Sequence, residues 1–413
     1  MKSILIGAYA LSPKHGSEYG IGWNFVLGVS KYFPVKVIYG TSEGKMGSNA
    51  TLTHYLLENS IPNVEVIFCK AGILTQAFDW LNHNVANLFF IFALKSWHKD
   101  ALKLVQRNFN PDDFELVHQI TPTGYRSPGQ LWKFHKKFVL GPIGGTSSLP
   151  VQFYKILALK SKLSNLMRDL SNTYYLNGYG ELNKPFHYAK AVICATSADR
   201  NRIESSFRIK CYHIRENHTR FFSTSVFTDS ALRLVWVGSI DSRKALIILL
   251  RALKQLDVPL NSWKLDIVGE GPEKKTLQEF AIKESLSDQI VWHGAVPRDK
   301  VATIFQNSDV HVLSSLMDSN PTVLLEAFEN CVPTIAINKY GANDLLSNGC
   351  GWLVDVSSVD NVVNQFSEII RMLIDDRNYV QVAKQKILEN HKDLSWDKAI
   401  EDLVKIYKTV INE

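Results

Sequence analysis

The chain has 413 residues, which at roughly 150 per domain predicts two or three domains rather than one core. It is 46% hydrophobic, 21% charged and 11% aromatic, a balance that excludes disordered and collagen-like chains. The net charge of +6 is uneven: residues 1–200 hold 21 Lys/Arg against 12 Asp/Glu (+9), and residues 201–413 hold 25 against 28 (−3). A basic excess of that size on one half admits an anionic surface or ligand but does not mark a nucleic-acid binder.

Met1–Ala10 has an apolar stretch too short for a secretory signal and reads as a buried first strand. Short β-branched runs then alternate with longer helical patterns, as in parallel βαβ units. In the first half the predicted strands are Ser3–Gly7, Val35–Tyr39, Val64–Phe68, Leu116–Gln119, Phe138–Leu140 and Ala191–Ala195. In the second half they are Leu234–Gly238, Lys264–Val268, Ile290–His293, Val310–Ser314, Thr334–Ile337 and Trp352–Val354. Helices are predicted at Ala245–Gln255, Glu273–Lys283, Thr322–Glu329 and Val359–Ile374. Two series of six alternations predict two doubly wound α/β domains, 1–215 and 216–395, joined across the polar stretch from Arg215 to Arg220. The helix over 396–413 exceeds what the second domain needs and is expected to cross back to the first.

Five cysteines (Cys69, Cys194, Cys211, Cys331, Cys350) form an odd set without a C-x-x-C pair, which points to free thiols in a reducing cytoplasm. No apolar run reaches the 18–20 residues of a membrane span. The nearest, Val85–Leu94, reads either as a buried helix or as an interfacial one. Lys133, Lys136, Lys137, Lys155, Lys160, Lys162 and Arg168 lie in the same half, where they would meet anionic headgroups or form an ordinary solvated face.

In open α/β sheets ligands sit beyond the carboxyl ends of the strands, so strand-end residues are the candidates. After the first strand, Gly16, Gly20 and Gly22 precede a helix and would let backbone N–H groups approach a phosphate or sugar, or simply form a tight turn. Their spacing is not that of a dinucleotide fingerprint, and no P-loop occurs. His118 closes a strand, where an imidazole could hydrogen-bond a sugar hydroxyl or carbonyl oxygen, or serve as a structural histidine. Gly141–Gly145 follow the next strand and would wall the same cleft or merely turn.

In the second half, Ser239, Arg243 and Lys244 follow the first strand. Two cations at a helix start oppose the helix dipole unless an anion lies between them, and a diphosphate suits that place, the alternative being a solvated terminal pair. Gly269, Glu270 and Gly271 follow the next strand, with glycines that would admit a flat base, and Gly294 follows the one after. Asp318 lies just beyond a strand, followed by Asn320, Pro321 and Thr322 at a helix start and by Glu326 one turn in. Asp318 could accept hydroxyl protons of a sugar and Glu326 those of a ribose; both could instead be capping groups.

Taken together these residues resemble the retaining glycosyltransferases of GT-B fold, the glycosyl transferases group 1, family 4-like, which use nucleotide-activated sugars. The likeness is best from Leu234 to Val354. It implies two Rossmann-like domains facing across a cleft, with the acceptor side in 1–215 and the donor side in 216–395. Carried over residue by residue, it implies Lys244 on the donor diphosphate, Glu326 on the ribose and Asp318 on the sugar hydroxyls. The Asn320-Pro321-Thr322 amides would lie near sugar and phosphate, and His118 beside the donor sugar. Two positions depart from the family: Asp318 stands where Glu is usual, and Ser239 where Arg is usual, so Arg243 would supply the second cation.

The expected reaction moves a sugar from a nucleotide diphosphate sugar to a glycan or lipid-linked acceptor with retention, in surface polysaccharide or lipopolysaccharide synthesis. It is expected to need no cofactor or metal, to involve no nucleic acid, and to run in the cytoplasm with peripheral contact at the inner membrane. The alternatives are a non-catalytic nucleotide-sugar binding subunit and a GT-B-fold sugar-nucleotide epimerase.

Overall fold

A computed structural model describes residues 2–85, 89–220, 222–223 and 231–413. The chain divides into two compact units, one of Met1–Thr146, Asn172–Glu216 and Trp396–Glu413, the other of Ser147–Ser171 and Asn217–Ser395.

In the first unit the strands are β1 (Ser3–Ala8), β2 (Val35–Tyr39), β3 (Val64–Phe68), β4 (Phe114–Thr121), β5 (Phe138–Ile143), β6 (Ala191–Cys194) and β7 (Cys211–His213). They pair in parallel in the order β3-β2-β1-β4-β5-β6-β7. The helices that separate them in the chain are α1 (Glu18–Ser30), α2 (Ala50–Glu58), α3 (Ile73–Asn84), α4 (Phe90–Asn108), α5 (Leu159–Leu176), α6 (Asn183–Tyr188) and α7 (Ser197–Phe207), of which α5 lies mostly in the second unit. Strand alternation sends Ile4, Ile6, Leu116 and Ile120 to one face and Leu5 and Val117 to the other. The first face is covered by Phe25 and Val29 of α1, the second by Trp97 and Leu102 of α4. Each such side chain buried contributes about 1.5–3 kcal/mol.

In the second unit the strands are β8 (Leu232–Val237), β9 (Trp263–Val268), β10 (Ile290–Gly294), β11 (Val310–Leu313), β12 (Thr334–Ile337) and β13 (Gly351–Val354). They form a parallel sheet in the order β10-β9-β8-β11-β12-β13. Its helices are α8 (Leu246–Lys254), α9 (Lys274–Lys283), α10 (Arg298–Gln306), α11 (Thr322–Glu329), α12 (Gly341–Leu346), α13 (Val359–Asp375) and α14 (Asn378–Asn390). Leu234, Trp236, Leu265 and Ile267 pack against Leu249 and Leu253 of α8 and Phe366 and Ile370 of α13. Ser358 starts α13 by accepting the Asn361 N–H, a side-chain cap on a helix held otherwise by its apolar stripe.

One difference from the sequence reading has a physical cause. Residues Ser147–Ser171 group with the second unit, not the first, because Leu149, Phe153 and Leu157 bury in its core. The last helix, α15 (Trp396–Asn412), lies in the first unit, where Leu403 and Tyr407 close the face shared with α1. The apolar run Val85–Leu94 is described only in part. Residues 86–88 fall outside the described residues, and α4 starts at Phe90 with Ala93 and Leu94 buried and Ile91 and Phe92 half exposed. All five cysteines are free and buried. Among the described residues no helix is long and apolar enough to cross a membrane.

Candidate functional site

The order of the second sheet reverses direction between β8 and β11, and the loops leaving both strands meet at its carboxyl edge. Such a switch point is where open α/β sheets bind ligands. The loop after β8 is shaped by Asp241, whose Oδ1 accepts the N–H groups of Arg243 and Lys244, each at 3.0 Å. Ser314, just past β11, donates to the Lys244 carbonyl at 2.9 Å and accepts the Trp236 indole N–H at 3.0 Å. The Leu316 N–H reaches the Arg243 carbonyl at 2.9 Å, and the Arg243 guanidinium reaches the Met317 carbonyl at 3.4 Å. The two loops are thereby latched before any ligand is considered.

Across that latch the Lys244 ammonium pairs with the Asp318 carboxylate, both side chains mostly buried. Arg243 also bonds the Asp241 carboxylate at 3.5 Å. The dipole argument for these cations needs correction, because α8 starts at Leu246. Arg243 and Lys244 sit in the turn before it, with Asp241 as their local counter-charge. Ser239 is exposed in the same loop.

Asn320, Pro321 and Thr322 open α11. Pro321 is at its N-cap and offers no side-chain oxygen to the first turn, whose Leu324 N–H bonds the Pro321 carbonyl at 3.0 Å while the Thr322 and Val323 N–H groups precede that first bond. The Asn320 side-chain amide nitrogen is buried with no hydrogen-bond partner among the described residues, a state that costs free energy until a partner arrives. The Glu326 carboxylate accepts from Arg298 at 3.1 Å. Burial raises its pKa and the nearby Arg298 guanidinium opposes the rise. Asn217 donates to the Thr322 hydroxyl at 3.3 Å, placing a second amide beside the same helix start.

The glycine expectations are corrected. A Cβ on Gly269 (φ +141°) would lie 1.8 Å from the Gly238 carbonyl oxygen, and one on Gly271 would lie 2.3 Å from that of Ile240. These glycines let two loops touch each other rather than make room for a base. Glu270 is exposed and pairs with Lys274 at 2.6 Å, and Gly294 adjoins it.

In the first unit, Gly20 and Gly22 lie buried within α1, where a Cβ on Gly22 would come 2.6 Å from the Ala10 carbonyl oxygen. They allow α1 to pack closely on the preceding loop, and only Gly16 is exposed ahead of the helix. Gly141 (φ +123°) lets β5 pass close to Ile193.

His118 is the largest correction. It shares the parity of Leu116 and Ile120, so it points under α1 and α15 and is fully buried. Its Nε2–H donates to the Gly141 carbonyl at 2.6 Å, which leaves Nδ1 to accept the Tyr407 hydroxyl. It is a core histidine that fastens α15 to the sheet, not a group presented to a sugar. Removing it strands two buried polar groups, so His118→Ala should cost about 2–4 kcal/mol of stability. Thermal denaturation of the variant checks this; an unchanged Tm would contradict the assignment.

Burial likewise lowers His98, His118 and His311 to about 3. Each is neutral in the folded protein and titrates near 6.5 when unfolded, so the stability it contributes above 6.5 is lost as pH falls toward 3. At pH 5 the loss is about 2 kcal/mol for each histidine. The Tm should therefore drop between pH 7 and pH 5, and a flat profile would contradict the burial.

Two groups escaped the sequence reading. Glu18 heads α1 beside the β1/β4 reversal of the first sheet, and its carboxylate accepts the Thr123 N–H at 3.1 Å. Burial raises its pKa against those hydrogen bonds, a mark of functional acids that one sequence could not display. Lys339, just after β12, donates to the Ser148 carbonyl at 2.6 Å and is lowered by burial to about 8.

Residues 219–386 match the sequence profile of the glycosyl transferases group 1 and take in Lys244, Asp318 and Glu326. The chain is 29% identical over 207 residues to the amylovoran biosynthesis glycosyltransferase of Erwinia amylovora, covering 48% of this chain and 57% of that one. It therefore spans little more than half the length of that relative. It is also 22% identical over 281 residues to a putative colanic acid biosynthesis glycosyltransferase of Salmonella typhimurium, covering 64% and 68%. Among solved structures it resembles sucrose-phosphate synthase from Thermosynechococcus elongatus (TM-score 0.67, 15% identity, 100% of both chains). It also resembles Anabaena HepE solved with UDP and glucose (TM-score 0.58, 14% identity, 99% and 100%). At such identities these likenesses establish the fold, which is GT-B.

Proposed function

We propose that the protein transfers a glycosyl group from a nucleoside diphosphate sugar to a saccharide or lipid-linked acceptor. The observation that carries this reading is the Lys244–Asp318 pair at the β8/β11 reversal, with the α11 amides and Glu326 beside it. In the reaction the bond from the anomeric carbon to the diphosphate oxygen breaks, and its electron pair leaves with the diphosphate. The acceptor hydroxyl oxygen forms the new bond and gives up its proton to the departing diphosphate. Lys244 and Arg243 stabilise the charge that grows on the leaving group, and fixed charges in a partly buried site act strongly. These cations do the work a metal would do on the diphosphate, which supports a metal-free reaction. Asp318 exchanges part of its contact with Lys244 for sugar hydroxyls, and Glu326 accepts from the ribose.

Retention at the anomeric carbon belongs to this reading through the family likeness. The relatives named for amylovoran and colanic acid synthesis favour a surface polysaccharide as the product. The reading is tested by incubating the protein with a radiolabelled donor sugar and a panel of saccharide and lipid-linked acceptors. Label moving to an acceptor supports transfer. Conversion of the donor alone into an epimer, or donor binding without turnover across the panel, would replace it with the epimerase or the binding subunit.

A further inference from the structure

Soluble helices turn their apolar stripe inward, and α5 does the reverse. Leu159, Leu163, Leu166, Met167 and Leu170 fall within an arc of about 100° on its surface, and they are 50–82% exposed. The stripe runs for about 17 Å along the helix axis. The opposite side is polar and faces the protein: Asn165 is 2% exposed, and Ser161 accepts a hydrogen bond from the Ser242 hydroxyl at 3.4 Å. Just before the helix, Val151 adds another exposed apolar side chain.

An uncovered stripe of five large side chains is costly in water and marks a docking face. The charge around it selects the occupant. Residues 151–171 contain four Lys/Arg and one acid, Asp169. Asp169 is engaged by the Tyr154 hydroxyl at 3.2 Å. Lys155 is exposed, Lys162 and Arg168 are half-buried, and no ion pair to a carboxylate ties any of the three among the described residues. A second copy of the chain would set this positive segment against itself. An anionic bilayer complements both features, taking the leucines into its acyl boundary and the cations at its headgroups.

We propose that α5 is a membrane-docking helix that lays its Leu159–Leu170 face into an anionic lipid surface. The proposal agrees with the lipid-linked branch of the transfer reading but does not need the reaction to be correct.

The test is co-sedimentation of the full chain with phosphatidylcholine vesicles, with and without phosphatidylglycerol, at low and high salt. The wild type should sediment with the anionic vesicles and lose binding as salt rises. The double variant Leu163→Glu/Leu170→Glu should bind about tenfold more weakly or worse. Lys155→Gln and Lys162→Gln should each weaken binding about fivefold on anionic vesicles alone. Circular dichroism of the variants confirms that they fold.

Wild-type protein that ignores anionic vesicles, or a double variant that binds as well as wild type, would overturn the proposal. Light scattering that shows a dimer converted to a monomer by the double variant would assign the stripe to a second copy instead. Calorimetry with UDP, GDP and ADP on the same samples separates the two readings. Vesicle binding without nucleotide binding refutes the transferase assignment and leaves α5 standing, and the converse refutes α5 alone.

Discussion

Replacing Lys244 by alanine should lower kcat/KM for donor turnover by about 10²–10³, or roughly 3–4 kcal/mol of transition-state stabilisation. The ammonium is mostly buried at the sheet reversal, so its charge is weakly screened, and its loss leaves the Asp318 carboxylate facing an incoming diphosphate. Both effects act in the same direction. Lys244→Arg keeps the charge but changes its shape, and a partial recovery is expected. Release of nucleoside diphosphate from the donor, followed at initial rate, reads both variants. Wild-type kcat/KM in Lys244→Ala would remove the diphosphate role.

Glu326→Gln should weaken nucleoside diphosphate binding about tenfold, the range for hydrogen bonds made to a charged group. The wild-type affinity should also depend on pH. Burial raises the carboxyl above its ordinary value, so on acidification it takes up a proton earlier than a free glutamate would. The ionised form accepts two ribose hydroxyls, and affinity is therefore full at neutral pH and declines as pH falls through the raised value. Titration calorimetry on acidification from neutral pH should show a steeper decline in the wild type than in Glu326→Gln, in which only the phosphate's own titration remains. Equal affinities for the two proteins would detach Glu326 from the nucleotide.

The alternation of strands and helices was legible because each buried strand is a short β-branched run and each covering helix has a stripe. β2, β3 and β12 have the predicted bounds. β7 went unseen because Cys211–His213 is a three-residue edge strand with no alternation to read. α14 is largely polar outside and carries a weak stripe, and α10 follows a proline that reads equally as a stop or a start. Ser147–Ser171 was misplaced because nothing local says which core will take Leu149, Phe153 and Leu157.

The candidate site was legible to a different degree in each half. Lys244, Asp318 and Glu326 follow strands or open helices in one unit, and the fold gathers the first two into contact. The glycines misled because a loop glycine serves close backbone packing as readily as ligand approach, and His118 because strand-end position says nothing about the direction of a side chain. Parity along β4 would have sent His118 inward with Leu116 and Ile120. The reversed face of α5 could not be read from sequence, because its stripe at 159–170 is the pattern of an ordinary buried helix. Only the structure shows which side is covered.

The basic excess of residues 1–200 also changes meaning. Part of it, Lys155, Lys162 and Arg168, belongs by packing to the second unit and borders the exposed stripe.

The most direct test of the central claim is thermal denaturation with UDP, GDP, ADP and their sugar conjugates, run on wild type and on Lys244→Ala/Glu326→Ala. A ligand at 100 times its Kd stabilises the folded state by about 2.7 kcal/mol. One nucleotide series should therefore raise the wild-type Tm by several degrees and leave the double variant unmoved. No shift with any of the three series at millimolar concentration, or equal shifts in both proteins, would contradict a nucleotide-sugar site at the β8/β11 edge.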